Sequence, residues 1–119
     1  MEAFHAAVKF KLYKLVVIVY RNHVQLDDTT EKIMPIPDFS KVLKVISWRV
    51  RECDGHDVYH LLRIVQEAQA EPAGPNIIVV ETVKGKGIFF MEGQYIWHGK
   101  ALSQDDYRGA RKELDELVF

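Results

Sequence analysis

The sequence predicts an α/β fold, a partial three-layer α/β/α sandwich around a mostly parallel sheet. Three observations predict it. Helical and strand periodicities alternate along the chain as helix, strand, helix, strand, helix, strand, helix. The segments 14–20 (KLVVIVY) and 76–83 (NIIVVETV) are continuous apolar, β-branched runs. Such runs are the pattern of strands covered on both faces, as in parallel sheets. A helical segment separates each pair of strands, as right-handed crossovers require.

Each element has its own signal. Residues 2–12 read as a helix, because Phe4, Ala7, Val8 and Lys11–Leu12 fall near 3.6 spacing. The strand 14–20 follows. Residues 38–48 read as a second helix, with Asp38 as N-cap after Pro37 and Phe39, Val42, Leu43 and Ile46 as its inner stripe. A short strand is expected at 49–53, then a turn at Asp54-Gly55. Asp57 caps a third helix over 57–70, with Val58, Leu61, Leu62, Val65 and Ala68 facing inward. The run Glu71-Pro72-Ala73-Gly74-Pro75 stops it. After the strand 76–83, a long loop over 84–102 precedes a last helix. Ser103 and Asp106 start that helix as a capping-box-like pair, and Tyr107, Ala110, Leu114 and Leu117 face inward. Three core strands are few for such a sheet. The first would be an exposed edge, which favours an oligomer or a missing neighbour.

Composition bounds the function. The 119 residues suffice for one domain, 1–119. Hydrophobic residues at 48% and charged residues at 28% exclude intrinsic disorder. A formal net charge of −1 argues against nucleic-acid binding by bulk electrostatics. No apolar run approaches membrane-spanning length, and no signal pattern marks the N-terminus. Cys53 is the single cysteine, so no intrachain disulfide or paired-cysteine metal site forms, which fits a cytoplasmic setting.

Two loops directly after apolar strands could carry chemistry, because ligands bind at the carboxyl ends of parallel strands. The first runs from Tyr20 to Asp28. The second runs from Thr82 to Ile88 and on to Trp97-His98-Gly99-Lys100. Lys84-Gly85-Lys86-Gly87 offers backbone N–H groups and ammonium groups to phosphate oxygens. By itself such a stretch is more often a solvated turn. Asn22 after a strand usually satisfies a turn, although its side-chain oxygen suits a hard cation such as Mg2+. A lone loop histidine such as His98 is more often structural than catalytic. Asp54-Gly55-His56-Asp57 reads most simply as a turn before a helix cap.

The ordered combination is more specific than its parts. Arg21-Asn22, Val24-Gln25-Leu26-Asp27, Trp48, Asp54-Gly55-His56-Asp57, Glu81-Thr82-Val83-Lys84-Gly85-Lys86-Gly87, Met91-Glu92 and Trp97-His98-Gly99-Lys100 follow in series. This series closely resembles the thiamine-diphosphate-binding domain of transketolase, most of all the form encoded as a separate N-terminal subunit in many bacteria. The resemblance covers nearly the whole chain and corresponds to the C-terminal half of that domain, without its first strands. It implies that Asn22 and the Val24 carbonyl bind Mg2+. It implies that Lys84, with Gly85, contacts the diphosphate of thiamine diphosphate. It implies that His98 lies over the reactive end of the cofactor and handles phosphate and substrate oxygens.

The departures matter as well. The family's Gly-Asp-Gly motif, whose aspartate is the principal Mg2+ ligand, has no counterpart before Met1-Glu2-Ala3. The resemblance likewise does not extend to the family's pyrimidine-binding partner domain. The family carries an acidic residue where Tyr20 stands and glycines where His23 and Asp28 stand, so backbone freedom is expected to be forfeited at Asp28. Two readings follow. In the first, the chain is part of a split transketolase that moves a two-carbon ketol unit between sugar phosphates and needs a complementing subunit. In the second, it is an inactive remnant persisting as a structural or homo-oligomeric interaction module. A generic α/β domain with a phosphate-binding turn ranks last.

Overall fold

A computed structural model describes residues 1–35, 38–70 and 73–117. The chain divides into two compact units, Met1–Arg21 with Ile36–Thr82, and Asn22–Pro35 with Val83–Phe119.

The first unit holds the parallel sheet. Its strands are β1 (Val16–Arg21), β4 (Arg49–Asp54) and β5 (Asn76–Glu81), in the order β1-β5-β4. Val16 and Arg49 both pair with Asn76, and the register holds to Arg21 and Asp54 against Glu81. The central strand β5 is buried from Asn76 to Val80, as its unbroken apolar run predicts. Its alternate residues face two different cores. Ile77 packs with Ala7 of α1 (Glu2–Lys9), Leu43 of α3 (Phe39–Val45) and Trp48. Ile78 and Val80 pack with Cys53 and with Ile64 and Ala68 of α4 (Val58–Ala70). Helices therefore cover both faces, and the α/β/α layering read from the sequence is present.

Caps explain where the helices begin and end. The Asp38 side chain accepts from the Lys41 N–H at 3.0 Å, and the Asp57 side chain accepts from the His60 N–H at 2.8 Å. At its other end α1 stops short of the expected residue 12. Lys11 turns left-handed (φ 54), its N–H donates to the Val8 carbonyl, and the Leu12 N–H donates to Ala7. The same pattern ends α3, with Ser47 at φ 68 and the Trp48 N–H donating to Leu43. Both are Schellman terminations built without glycine, at a conformational cost of about 1 kcal/mol each. The second anchors Trp48, whose indole N–H donates to the Phe4 carbonyl at 3.0 Å and whose ring meets Phe4 edge-on.

Two further expectations for this unit are corrected. The strand β1 is an edge strand, as expected, but it is not covered on both faces: Ile18 is 55% exposed and Tyr20 63%. Val17 and Val19 pack on the α1/α3 core and Val16 on the core beneath α4, whereas Ile18 and Tyr20 belong to neither cluster. The inner stripe of α4 is Leu61, Ile64, Val65 and Ala68, an i, i+3, i+4, i+7 set. Val58 and Leu62, expected inward, are exposed. Of the helix stop after α4, Glu71 and Pro72 lie outside the described residues, as does Pro37 before α3.

The second unit contains what the sequence left as loop. A two-stranded antiparallel hairpin pairs β2 (Val24–Gln25) with β3 (Asp28–Thr29), and a single-turn helix α2 (Thr30–Ile33) follows. Segment 84–102 contains a 3-10 turn over Tyr95–His98. The last helix, α5 (Gln104–Glu116), carries the expected capping box: Ser103 Oγ accepts from the Asp106 N–H, and the Asp106 carboxylate accepts from the Ser103 N–H. Hydrogen bonds from Ser103 hold the Asp106 carboxyl below the usual aspartate range. Of its expected inner stripe only Ala110 is buried; Tyr107, Leu114 and Leu117 are 55%, 42% and 41% exposed. No described helix is long and apolar enough to cross a membrane.

Candidate functional site

The five residues singled out in the sequence, Asn22, Val24, Lys84, Gly85 and His98, all fall in the second unit. The first loop is shaped by two left-handed residues, His23 (φ 59) and Leu26 (φ 44). The Asn22 side-chain oxygen accepts from the Val24 N–H at 3.2 Å, an Asx turn that fixes the carboxamide beside the hairpin. The Thr30 N–H donates to the His23 carbonyl. That bond makes Val24 and Thr29 a non-hydrogen-bonded pair, so the ladder leaves the Val24 carbonyl uncommitted. The expected loss of backbone freedom at Asp28 is not found. Asp28 lies in β3 with ordinary φ, its carboxylate accepting from the Thr29 N–H and from Lys32, and the freedom is needed at His23 and Leu26 instead. The Thr29 and Lys32 bonds hold the Asp28 carboxyl low.

The second loop folds back on itself. Gly85 (φ 73), Gly87 (φ 96) and Gly93 (φ 68) all adopt left-handed backbone. A Cβ at Gly85 would lie 2.7 Å from Cβ and O of Met91, so only glycine fits there. The Gly93 N–H donates to the Lys84 carbonyl at 2.8 Å and closes the stem of the loop. Trp97 is anchored by its indole N–H to the Phe90 carbonyl (3.1 Å) and by an edge-on contact with the Phe90 ring. Lys100 lies 4.2 Å over the Trp97 ring. This leaves the neighbouring His98 exposed at the end of the 3-10 turn. Strand β3 packs against that turn, which sets the hairpin following Asn22 against the segment that bears His98.

The electrostatics separate the two lysines of the glycine-rich turn. Lys86 lies 3.4 Å from Glu92 Oε1, and the same oxygen accepts from the Gly87 N–H at 3.0 Å. The N–H groups of Lys86 and Ile88 donate to the carbonyls of Val83 and Gly85. Lys84 is half-buried and has no carboxylate partner among the described residues. The anion-binding capacity left over is therefore the Lys84 ammonium with the N–H groups of Lys84 and Gly85. The sequence reading missed Glu92 as an internal counter-charge; an acid five residues beyond the last glycine of the turn was the available signal.

This arrangement suits one end of a diphosphate. It suits the accompanying cation less well. Mg2+ takes six oxygen ligands, usually including carboxylates. Of the two ligands expected here, the Asn22 carboxamide oxygen is already engaged in a turn and the Val24 carbonyl is left by the ladder. No group of three or more His, Cys, Asp or Glu among the described residues could hold a metal.

Comparison with known proteins identifies the family. Residues 1–116 match the family model described as transketolase, thiamine diphosphate binding domain. The chain is 30% identical over 117 residues to an apulose-4-phosphate transketolase subunit of Phocaeicola vulgatus, covering 98% of this chain and 42% of the relative. It is 32% identical over 116 residues to the protein of that name from Actinobacillus succinogenes, covering 97% and 41%. The chain thus spans about two-fifths of the length of these relatives. In fold it superposes on transketolase from Campylobacter jejuni with a TM-score of 0.86 at 20% identity, over 96% of this chain and 18% of that one. The chain belongs to the family of the transketolase thiamine diphosphate binding domain.

Proposed function

We propose that the chain supplies part of a transketolase-type active site, one that moves a two-carbon ketol unit between sugar phosphates with thiamine diphosphate and Mg2+. The observation that carries this reading is the half-buried Lys84, without a carboxylate partner among the described residues, in the same compact unit as Asn22, Val24, Gly85 and His98. Lys84 and the Gly85 N–H hold diphosphate oxygens. The Val24 carbonyl and the second lone pair of the Asn22 oxygen supply two of the cation's ligands. The exposed His98 imidazole exchanges a proton with a substrate oxygen and hydrogen-bonds it in place. The bound cofactor supplies the electron sink for carbon–carbon chemistry. The remaining cation ligands come from residues other than these; separately, relatives that are themselves named as transketolase subunits support a complementing partner.

Calorimetry with thiamine diphosphate and Mg2+ tests this. The chain alone is expected to bind more weakly than micromolar, and Lys84→Met to weaken binding a further fivefold or so, about 1 kcal/mol. Sub-micromolar affinity would contradict a shared site. Affinity indifferent to Lys84 would contradict the assignment.

The short cation set also favours a second reading, in which the chain is inactive and persists as a homo-oligomeric module in the cytoplasm. The exposed Ile18 and Tyr20 on edge strand β1 support assembly. Light scattering at high protein concentration is expected to give a dimer or larger species, and a monodisperse monomer counts against it.

A further inference from the structure

We infer that Glu92 sets the anion specificity of the glycine-rich loop, by occupying one half of its anion-binding capacity from within. This rests on reading the loop as a diphosphate site and names what that site selects. Glu92 Oε1 takes the Gly87 N–H at 3.0 Å and faces the Lys86 ammonium at 3.4 Å, the two donors an external phosphate would otherwise use. The Glu92 N–H donates to the Ile88 carbonyl, and the next residue, Gly93, donates to Lys84. The carboxylate is thus carried on the closed stem of the loop and held at the turn. Of the two lysines in the turn, Lys84 is the one without a carboxylate among the described residues. A single ammonium balances a diphosphate whose charge a divalent cation has already reduced. It is a poor match for a bare, highly charged polyphosphate, which Glu92 also repels. Glu92 is a positioning residue: it makes the loop a site for the cation complex of a diphosphate ester and against the free anion.

The test uses the full chain with pyrophosphate as probe, followed by amide NMR, once with Mg2+ and once with a chelator. In the unsubstituted chain, shifts at Lys84 and Gly85 are expected, with tighter binding when Mg2+ is present. Glu92→Gln keeps an acceptor for the Gly87 N–H and removes the charge. It is expected to tighten binding of bare pyrophosphate about fivefold, to extend the shifts to Lys86 and Gly87, and to leave the Mg2+ complex within about twofold. Lys86→Met, which leaves the loop's hydrogen bonds in place, is expected to leave the affinity of the unsubstituted chain within about twofold and to abolish the gain when combined with Glu92→Gln. An unchanged preference in Glu92→Gln overturns the inference while the site reading stands. So does a fivefold loss in Lys86→Met alone, since Lys86 would then already serve the anion. Absence of any shift at Lys84 and Gly85 in every variant overturns the site reading, and the inference with it.

Discussion

Gly55→Ala is expected to destabilise the chain by about 3 kcal/mol, among the largest effects of any single methyl group added to it. Gly55 follows β4, and its N–H donates to the Glu81 carbonyl at 2.7 Å at the end of β5. A Cβ there would run into the methyl carbons of Val80 and Thr82 and approach the Glu81 carbonyl oxygen to 3.1 Å. Val80 is buried in the core beneath α4, and Thr82 is buried with its hydroxyl donating to the Arg21 carbonyl. Neither branched side chain can swing away without losing packing or that bond. The cost is thus one of close approach, since Gly55 has no left-handed φ. Urea denaturation checks it. A midpoint within about 0.5 kcal/mol of the parent would mean that the β4–α4 connection yields where the geometry says it cannot.

Asn76→Leu is expected to cost about as much, about 3 kcal/mol, for a different reason. Asn76 opens the central strand and is fully buried. Its amide donates to the carbonyls of Ala68, in the last turn of α4, and of Gly74, and its oxygen accepts from the Arg51 guanidinium on β4. One carboxamide thus joins a helix end, a turn and a neighbouring strand. Leucine conserves volume but leaves two buried carbonyls without that donor and the guanidinium without that acceptor. Because one network is involved, Arg51→Met and Asn76→Leu should couple by about 1 kcal/mol or more in a double-mutant cycle. Simple additivity would show that the bond to Arg51 contributes little.

The central strand shows what was legible in the sequence and what was not. Its apolar run identified β5 as buried on both faces, because that pattern has one solution in a helix-covered parallel sheet. The same run in β1 predicted the same burial, yet Ile18 and Tyr20 are exposed; the edge position itself was expected from the small number of strands. Asp38, Asp57 and Ser103 were legible as caps, because capping is local chemistry decided within four residues. The ends of α1 and α3 were not, since Lys11 and Ser47 take the left-handed position that glycine usually signals. Gly55 illustrates the converse. A turn was the simplest reading of its neighbours, and only β5 alongside explains why no side chain fits.

The candidate site divides in the same way. The ordered series of short motifs pointed to residues that do fall in one compact unit. How they are employed was not legible, because charge pairing depends on which lysine meets a carboxylate. Lys84 and Lys86 are indistinguishable in the string Lys84-Gly85-Lys86-Gly87. The folded loop gives Glu92 to Lys86 and leaves Lys84 without a carboxylate among the described residues. Likewise the Asx turn at Asn22 engages one lone pair of the oxygen expected to face a cation, and only the hairpin register shows the Val24 carbonyl to be uncommitted.

The central claim is that the loop at Asn22 and the loop from Lys84 to His98 address one cation-bridged diphosphate. Paramagnetic relaxation by Mn2+, added in trace amount with thiamine diphosphate to the full chain, tests it most directly, because it reports proximity even when binding is weak. The amide signals of Asn22 to Val24, of Lys84 and Gly85, and of His98 are expected to broaden together, and to recover when thiamine diphosphate is withdrawn. Broadening confined to the acidic residues of α5, with the signals of residues 22–24 and 84–85 untouched, would contradict the shared site.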